Sequence, residues 1–185
     1  MTWLIDQLPA GQPVLDASVI INLLGTHQPV EVLRALGHRS LVEERTLKEV
    51  RKHPVPDLRI EPVLDELRTQ GLLEEVRMTD VEYGVYLGYV SPPLGQRLDV
   101  GESAALAIAA RGACIVLDER KARNRAAGNA PNLVVVSSLR LFIASAHRAG
   151  WAPSKVRHLV ESARASARMG VPRDEQSLLA QVLAA

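Results

Sequence analysis

Residues 99–127 read DVGESAALAIAARGACIVLDERKARNRAA, and the reading of this stretch decides the fold. Asp99 stands three residues before Glu102, a spacing that suits a reciprocal cap at a helix start. The alanine-rich residues 103–111, with Leu106 and Ile108, predict that helix, and Gly112 supplies its end. Four apolar residues, 114–117, then make a strand-sized run that stops at Asp118, and the charged segment 119–127 predicts a second helix. A short, wholly apolar strand between helices is the unit of a parallel sheet covered on its faces.

The same unit recurs on both sides. Toward the N-terminus, Pro13-Val14-Leu15 runs into Asp16, and ASVIINLL at 17–24 predicts a helix that Gly25 ends. Toward the C-terminus, residues 134–136 predict a strand and 139–149 a helix stopping near Gly150. Between them lie a short helix at 29–36, a connection or short strand at 40–42, and a charged segment at 43–50 interrupted after its end by Pro54 and Pro56. Ile60, Val63, Leu64 and Leu67 share one face of a helix over 59–70, with Gly71 as its stop. Residues 72–77 are strand-sized but ambiguous, 81–87 show no clear period, and Ser91-Pro92-Pro93-Leu94-Gly95 is a turn or loop. Two helices at 155–169 and 174–183, joined around Gly170-Val171-Pro172, close the chain. The expected class is α/β with a central, mostly parallel sheet, residues 1–153 forming the main domain and 154–185 a helical extension packed on it.

Composition narrows the function. A chain of 185 residues suits one core, and no tandem repeat is present. Its 22 basic and 21 acidic residues give a formal net charge of +1, so attraction to a polyanion would have to be local. Arginine outnumbers lysine 18 to 4, which suits bidentate phosphate contacts but follows equally from genome composition. Phe142 is the only phenylalanine, so base-stacking platforms are not expected. The lone Cys114 sits in an apolar run and reads as packing. MTWLIDQLPAG lacks the basic and apolar regions of a secretory signal, and no apolar run reaches the roughly 18 residues that span a bilayer. Cytoplasm, with no membrane, is the expected compartment.

Asp16 and Asp118 both follow apolar strand-like runs, which places them at the C-terminal edge of a parallel sheet, where ligand crevices open. Glu102 begins the helix before the Asp118 strand, and Glu49 projects from an earlier helical segment. Such an all-oxygen set suits Mg²⁺ or Mn²⁺ better than zinc. Each residue also has a plain alternative: Asp16 and Asp118 as helix caps, Glu102 as half of the Asp99 capping box, and Glu49 on a solvated face. Neither a nucleophile elbow, nor a phosphate loop, nor a metal or triad spacing among His27, His38, His53, His147 and His158 is present.

The order of the acidic segments carries a resemblance. Residues 14–23, VLDASVIINL, resemble the opening of a PIN domain. Residues 99–105, DVGESAA, resemble its acidic helix in a Gly-Glu subgroup, and 117–123, LDERKAR, resemble the later acidic segment. This resemblance spans about residues 13–150, and residues 150–183 resemble the subgroup's C-terminal extension. It implies a three-layer α/β/α fold and a ribonuclease dependent on Mg²⁺ or Mn²⁺, with Asp16, Glu49, Glu102 and Asp118 at its acidic positions. It further implies Glu119 as an auxiliary ligand or water positioner and Ser18 as a residue orienting a carboxylate or a water, where helix capping is Ser18's other reading. Asn124 is a polar lining residue. Arg120 and Arg123 either contact RNA phosphates or form ion pairs on a solvated face. The same resemblance implies the toxin of a bacterial toxin–antitoxin pair, homodimeric and inhibited by a small cognate antitoxin. A catalytically weak RNA-binding or protein-interaction module is the alternative.

Overall fold

The computed structural model describes residues 3–185. Short runs of two to four residues form five strands among the described residues: β1 (Pro13–Leu15), β2 (Ser40–Glu43), β3 (Leu73–Val76), β4 (Cys114–Val116) and β5 (Val135–Val136). They pair in the order β3-β2-β1-β4-β5, every pairing parallel, with Val14 opposite both Leu41 and Ile115. Helices carry the chain back over the faces of the sheet between successive strands. These helices are α1 (Ala17–Gly25), α2 (Pro29–Ala35), α3 (Glu44–Glu49), α4 (Ile60–Thr69), α5 (Asp80–Val90), α6 (Val100–Ala107), α7 (Arg120–Asn129), α8 (Ser138–Ala149), α9 (Pro153–Ala167) and α10 (Gln176–Leu183).

The three layers follow from the pleat. Adjacent strand residues point to opposite faces. Leu15, Val42, Cys114, Val116 and Val136 enter the larger core with Leu23, Leu33, Phe142 and Leu159. Val14, Leu41, Ile115 and Val135 enter the second, where Ala105, Ala122 and Ala126 bring α6 and α7 close to the sheet. Each fully buried leucine or phenylalanine contributes roughly 1.5–3 kcal/mol, so the larger face is the main source of stability. The α/β class and parallel sheet expected from the sequence are those observed.

Several local expectations differ. Gly25 does not stop α1; it is its last residue, and a Cβ there would lie 2.7 Å from the Ala167 Cβ. Its smallness lets α9 pack against α1, while Thr26 makes the cap by donating its hydroxyl to the Leu23 carbonyl at 2.6 Å. The undecided 81–87 segment is α5, started by a capping box between Thr79 and Glu82. The helix predicted over 103–111 ends at Ala107 and is followed by a 3₁₀ turn, Ala109–Arg111.

Sheet order places the site. From β1 the chain moves outward through β2 to β3, then crosses to β4 and on to β5. The connections therefore diverge between β1 and β4, which opens a crevice at their C-terminal ends. Asp16 and Asp118 lie beyond those two ends.

Candidate active site

Asp16 leaves β1 in an extended conformation and caps α1. Its Oδ2 accepts the Ser18 N–H at 3.2 Å and the Ser18 hydroxyl at 2.6 Å. The two readings of Asp16 and of Ser18 thus coincide, since capping is also what orients the carboxylate. Oδ1 is buried and, among the described residues, has no hydrogen-bond partner. Burial raises the Asp16 pKa, the Ser18 hydroxyl opposes that rise, and the charge of Glu119 adds to it.

Glu49 ends α3 and reaches the first turn of α6. Its Oε1 accepts the Gly101 N–H at 2.8 Å, while Thr46, one helical turn earlier, donates its hydroxyl to the Gly101 carbonyl at 2.9 Å. Any side chain at 101 would collide with this clamp, because a Cβ there would sit 2.3 Å from Glu49 Oε2. The glycine of the Gly-Glu pair therefore serves Glu49. Desolvation raises the Glu49 pKa, and Asp16 and Asp99 add to the rise against the Gly101 bond.

Glu102 is buried, and its Oε2 accepts the Asp99 N–H at 3.3 Å in the capping arrangement that the spacing predicts. Desolvation, followed by the charges of Glu119 and Asp16, pushes its pKa up to about 8. A carboxyl serving only as a cap needs no such neighbours.

Asp118 does not cap α7, whose N-cap residue is Glu119. It turns instead to the start of α8. Oδ1 accepts the Ser138 N–H at 2.8 Å, and Oδ2 accepts the Ser138 hydroxyl at 2.5 Å and the Asn22 amide at 2.8 Å. Asn22 also donates to the Ser138 hydroxyl oxygen at 3.2 Å. Despite these donors, desolvation pushes the Asp118 pKa up to about 6. Asn22 and Ser138, which hold Asp118, are residues of the candidate site that the sequence reading missed. Asn22 carries a signal, being a polar side chain inside the apolar run of α1, and Ser138 follows a strand end as Asp16 and Asp118 do.

Electrostatic coupling centres on Asp16, whose charge raises the pKa of Glu49, Glu102 and Asp118. Glu119, an exposed residue, acts on Asp16 and Glu102. Beside Asp118 lies a cleft of about 860 Å³, lined on the α7 side by Arg120, Arg123 and Asn124 and on the other by residues 171–174. Arg123 is partly committed there, donating to the Leu117 carbonyl at 3.1 Å and lying 3.6 Å from Asp174.

The donor set fits a hard divalent cation in kind: oxygen atoms only, repelling one another, with one buried oxygen left without a partner. Among the described residues, no three His, Cys, Asp or Glu side chains already stand close enough to hold a metal ion. The acids are coupled across the crevice rather than closed on one point.

No curated protein and no solved structure matches the chain. A family model, described as DUF3368: PIN domain, matches residues 12–173. That span begins just before β1, includes all four strand-edge and helix acids, and runs through α9 to the far wall of the cleft. The chain belongs to this PIN-domain family.

Proposed function

We propose that the protein is a divalent-metal-dependent endoribonuclease of the Gly-Glu PIN subgroup, the toxin of a toxin–antitoxin pair. The observation that carries the reading is the bare Oδ1 of Asp16, buried at the sheet's switch point within the influence of four other acids. An orphaned buried carboxylate oxygen costs about 1–3 kcal/mol or more, and a cation that neutralises it offsets that cost.

In this reading Asp16, Glu102 and Asp118, with Glu49, hold Mg²⁺ or Mn²⁺, which supplies charge neutralisation at the phosphate and acidifies a bound water. Ser18 fixes Asp16, and Asn22 with Ser138 fix Asp118. The exposed carboxylate of Glu119 positions water. Arg120 and Arg123 face the RNA phosphates and Asn124 lines their path. Val81 and Val85, one turn apart and exposed on α5, support a protein partner on that face, either a second copy or the antitoxin. The antitoxin would occlude the acidic crevice or insert a basic side chain into it, in the cytoplasm.

The second reading, a catalytically weak PIN module that binds RNA or protein, is favoured by the acids not being closed on one point among the described residues. One experiment separates them: cleavage of a panel of small structured RNAs in Mn²⁺ by wild type and by Asp16→Asn. Discrete products that vanish in EDTA and in the variant support the nuclease; RNA binding without cleavage supports the module.

A further inference from the structure

One buried carboxyl group lies outside the acidic crevice and still reaches it. Residues 172–175 read Pro-Arg-Asp-Glu, a charged run that suits a wet turn, and Arg173 and Asp174 are exposed. Glu175 is only 2% exposed, at the end of the short 3₁₀ turn Arg173–Glu175 that leads into α10. A carboxyl group in such a place is costly unless its oxygens are hydrogen-bonded. Oε1 accepts a bond from Arg140 Nε at 2.8 Å, and Oε2 accepts the Ser137 hydroxyl. Leu179 and Val182, buried in the larger core, seat α10 and so hold the turn in place.

Ser137 carries this contact to the site. A hydroxyl has one hydrogen and two acceptor lone pairs. Because Glu175 takes the hydrogen, the lone pairs of Ser137 Oγ are left to α8, and as its cap Ser137 accepts the Arg140 N–H at 3.2 Å. The first residue of α8, Ser138, has no acceptor within the helix for its own N–H. That N–H goes to Asp118 Oδ1 at 2.8 Å, while the Ser138 hydroxyl goes to Oδ2. The cap that Glu175 aims thus sets the turn from which both Ser138 donors reach Asp118. Ser137 and Ser138 are wholly buried, so bulk water does not replace a lost partner.

Resting on the nuclease reading, we propose that Glu175 is a positioning residue of the acidic site: through Ser137 and the first turn of α8 it fixes the orientation of the Asp118 carboxyl group toward a divalent cation. It touches neither RNA nor metal and acts only through Ser137 and α8. Asp118 is then oriented from three places, by Asn22 of α1, by Ser138 of α8 and, at one remove, by the turn before α10. A second ion pair, Arg148 with Asp6, braces the opposite end of the same helix and supplies the comparison for a merely structural role.

The test compares Glu175→Ala, Ser137→Ala and Asp6→Ala with wild type by two readouts besides urea unfolding: the NMR shift of the Ser138 amide proton in EDTA, and Mn²⁺ affinity from the free-ion EPR signal. Glu175→Ala and Ser137→Ala should each displace the Ser138 signal and weaken Mn²⁺ binding about tenfold. Asp6→Ala should lower the unfolding midpoint and change neither. Ser137→Ala, which removes a single hydroxyl, decides the matter if Glu175→Ala does not fold. An unmoved Ser138 signal in the folded variants, an equal displacement by Asp6→Ala, or wild-type Mn²⁺ affinity in both site variants would overturn the proposal. Displaced Ser138 signals with no Mn²⁺ bound by wild type uphold the positioning of Asp118 and remove the nuclease reading. Asp16-dependent cleavage in Mn²⁺ with unmoved Ser138 signals does the reverse.

Discussion

Asp16 and Asp118 end adjacent parallel strands, yet the protein holds them in opposite ways. Asp118 is gripped through both oxygens by donors from α1 and α8, residues 96 and 20 positions away in the chain. Asp16 is held on one oxygen only, by a residue two positions away, and its other oxygen is buried and bare. A carboxylate whose lone pairs are met by long-range donors ties three elements together and keeps one orientation. A carboxylate held locally on one side has capacity left for a ligand. Under the nuclease proposal, the difference gives Asp118 the stability of the site and Asp16 its reactivity.

The comparison can be broken most directly at Asp16. Asp16→Asn should abolish Mn²⁺-dependent RNA cleavage, by more than the roughly 100-fold that loss of an outer partner produces, while the melting temperature stays level or rises. A marked fall in melting temperature would show that Asp16 is structural as well. At the other aspartate, Asn22→Ala removes a buried donor and should cost about 1–3 kcal/mol in urea unfolding, with cleavage reduced about 10–100-fold. Full activity in that variant would show that Asp118 needs no such grip.

Smaller effects sharpen the picture. In metal-free protein the folded state holds protons on Glu102 and Asp118 more tightly than the unfolded chain does. The contribution of these two groups to stability should therefore be greatest in acid and fall as pH rises from 4.5 to about 8 for Glu102 and from 3.8 to about 6 for Asp118. Unfolding midpoints against pH should show this decline in EDTA and a flatter profile in saturating Mn²⁺; the same slope in both would argue that no ion is held by these acids. Gly101→Ala should displace the mobile end of Glu49 rather than the backbone, since the helix gains about 1 kcal/mol in propensity. Its stability should stay within about 1 kcal/mol of wild type and its activity should match that of Glu49→Gln, which side-by-side assays would check. Ser18→Ala should cost about 0.5–1.5 kcal/mol and raise the Asp16 pKa further.

The parallel sheet was legible because a buried strand needs only a short apolar run followed by a chain reversal, and Pro13–Leu15 and Cys114–Val116 carry both signals. Helix α5 was not, because Gly84 and Gly88 interrupt a segment whose apolar residues surround the helix rather than line one side. Glu43 stands among charges that suggest a wet surface, yet it is wholly buried at the end of β2, where its carboxylate caps α3. Local charge pattern could not reveal that, because burial was decided by strands distant in sequence. The strand-end positions of Asp16 and Asp118 could be read from their neighbours. Which oxygen remained free could not, since Asn22 and Ser138 meet Asp118 only after the sheet has formed.

The contact of Gly25 with Ala163 and Ala167 gives the site a schedule. Helix α1, which carries Asn22 and begins at Asp16, rests on α9, so its seat is supplied by residues made well over a hundred positions later. During synthesis from the N-terminus, all four acids leave the ribosome before that support exists. A nascent or truncated chain ending before α9 has the acidic residues without the helix on which α1 packs.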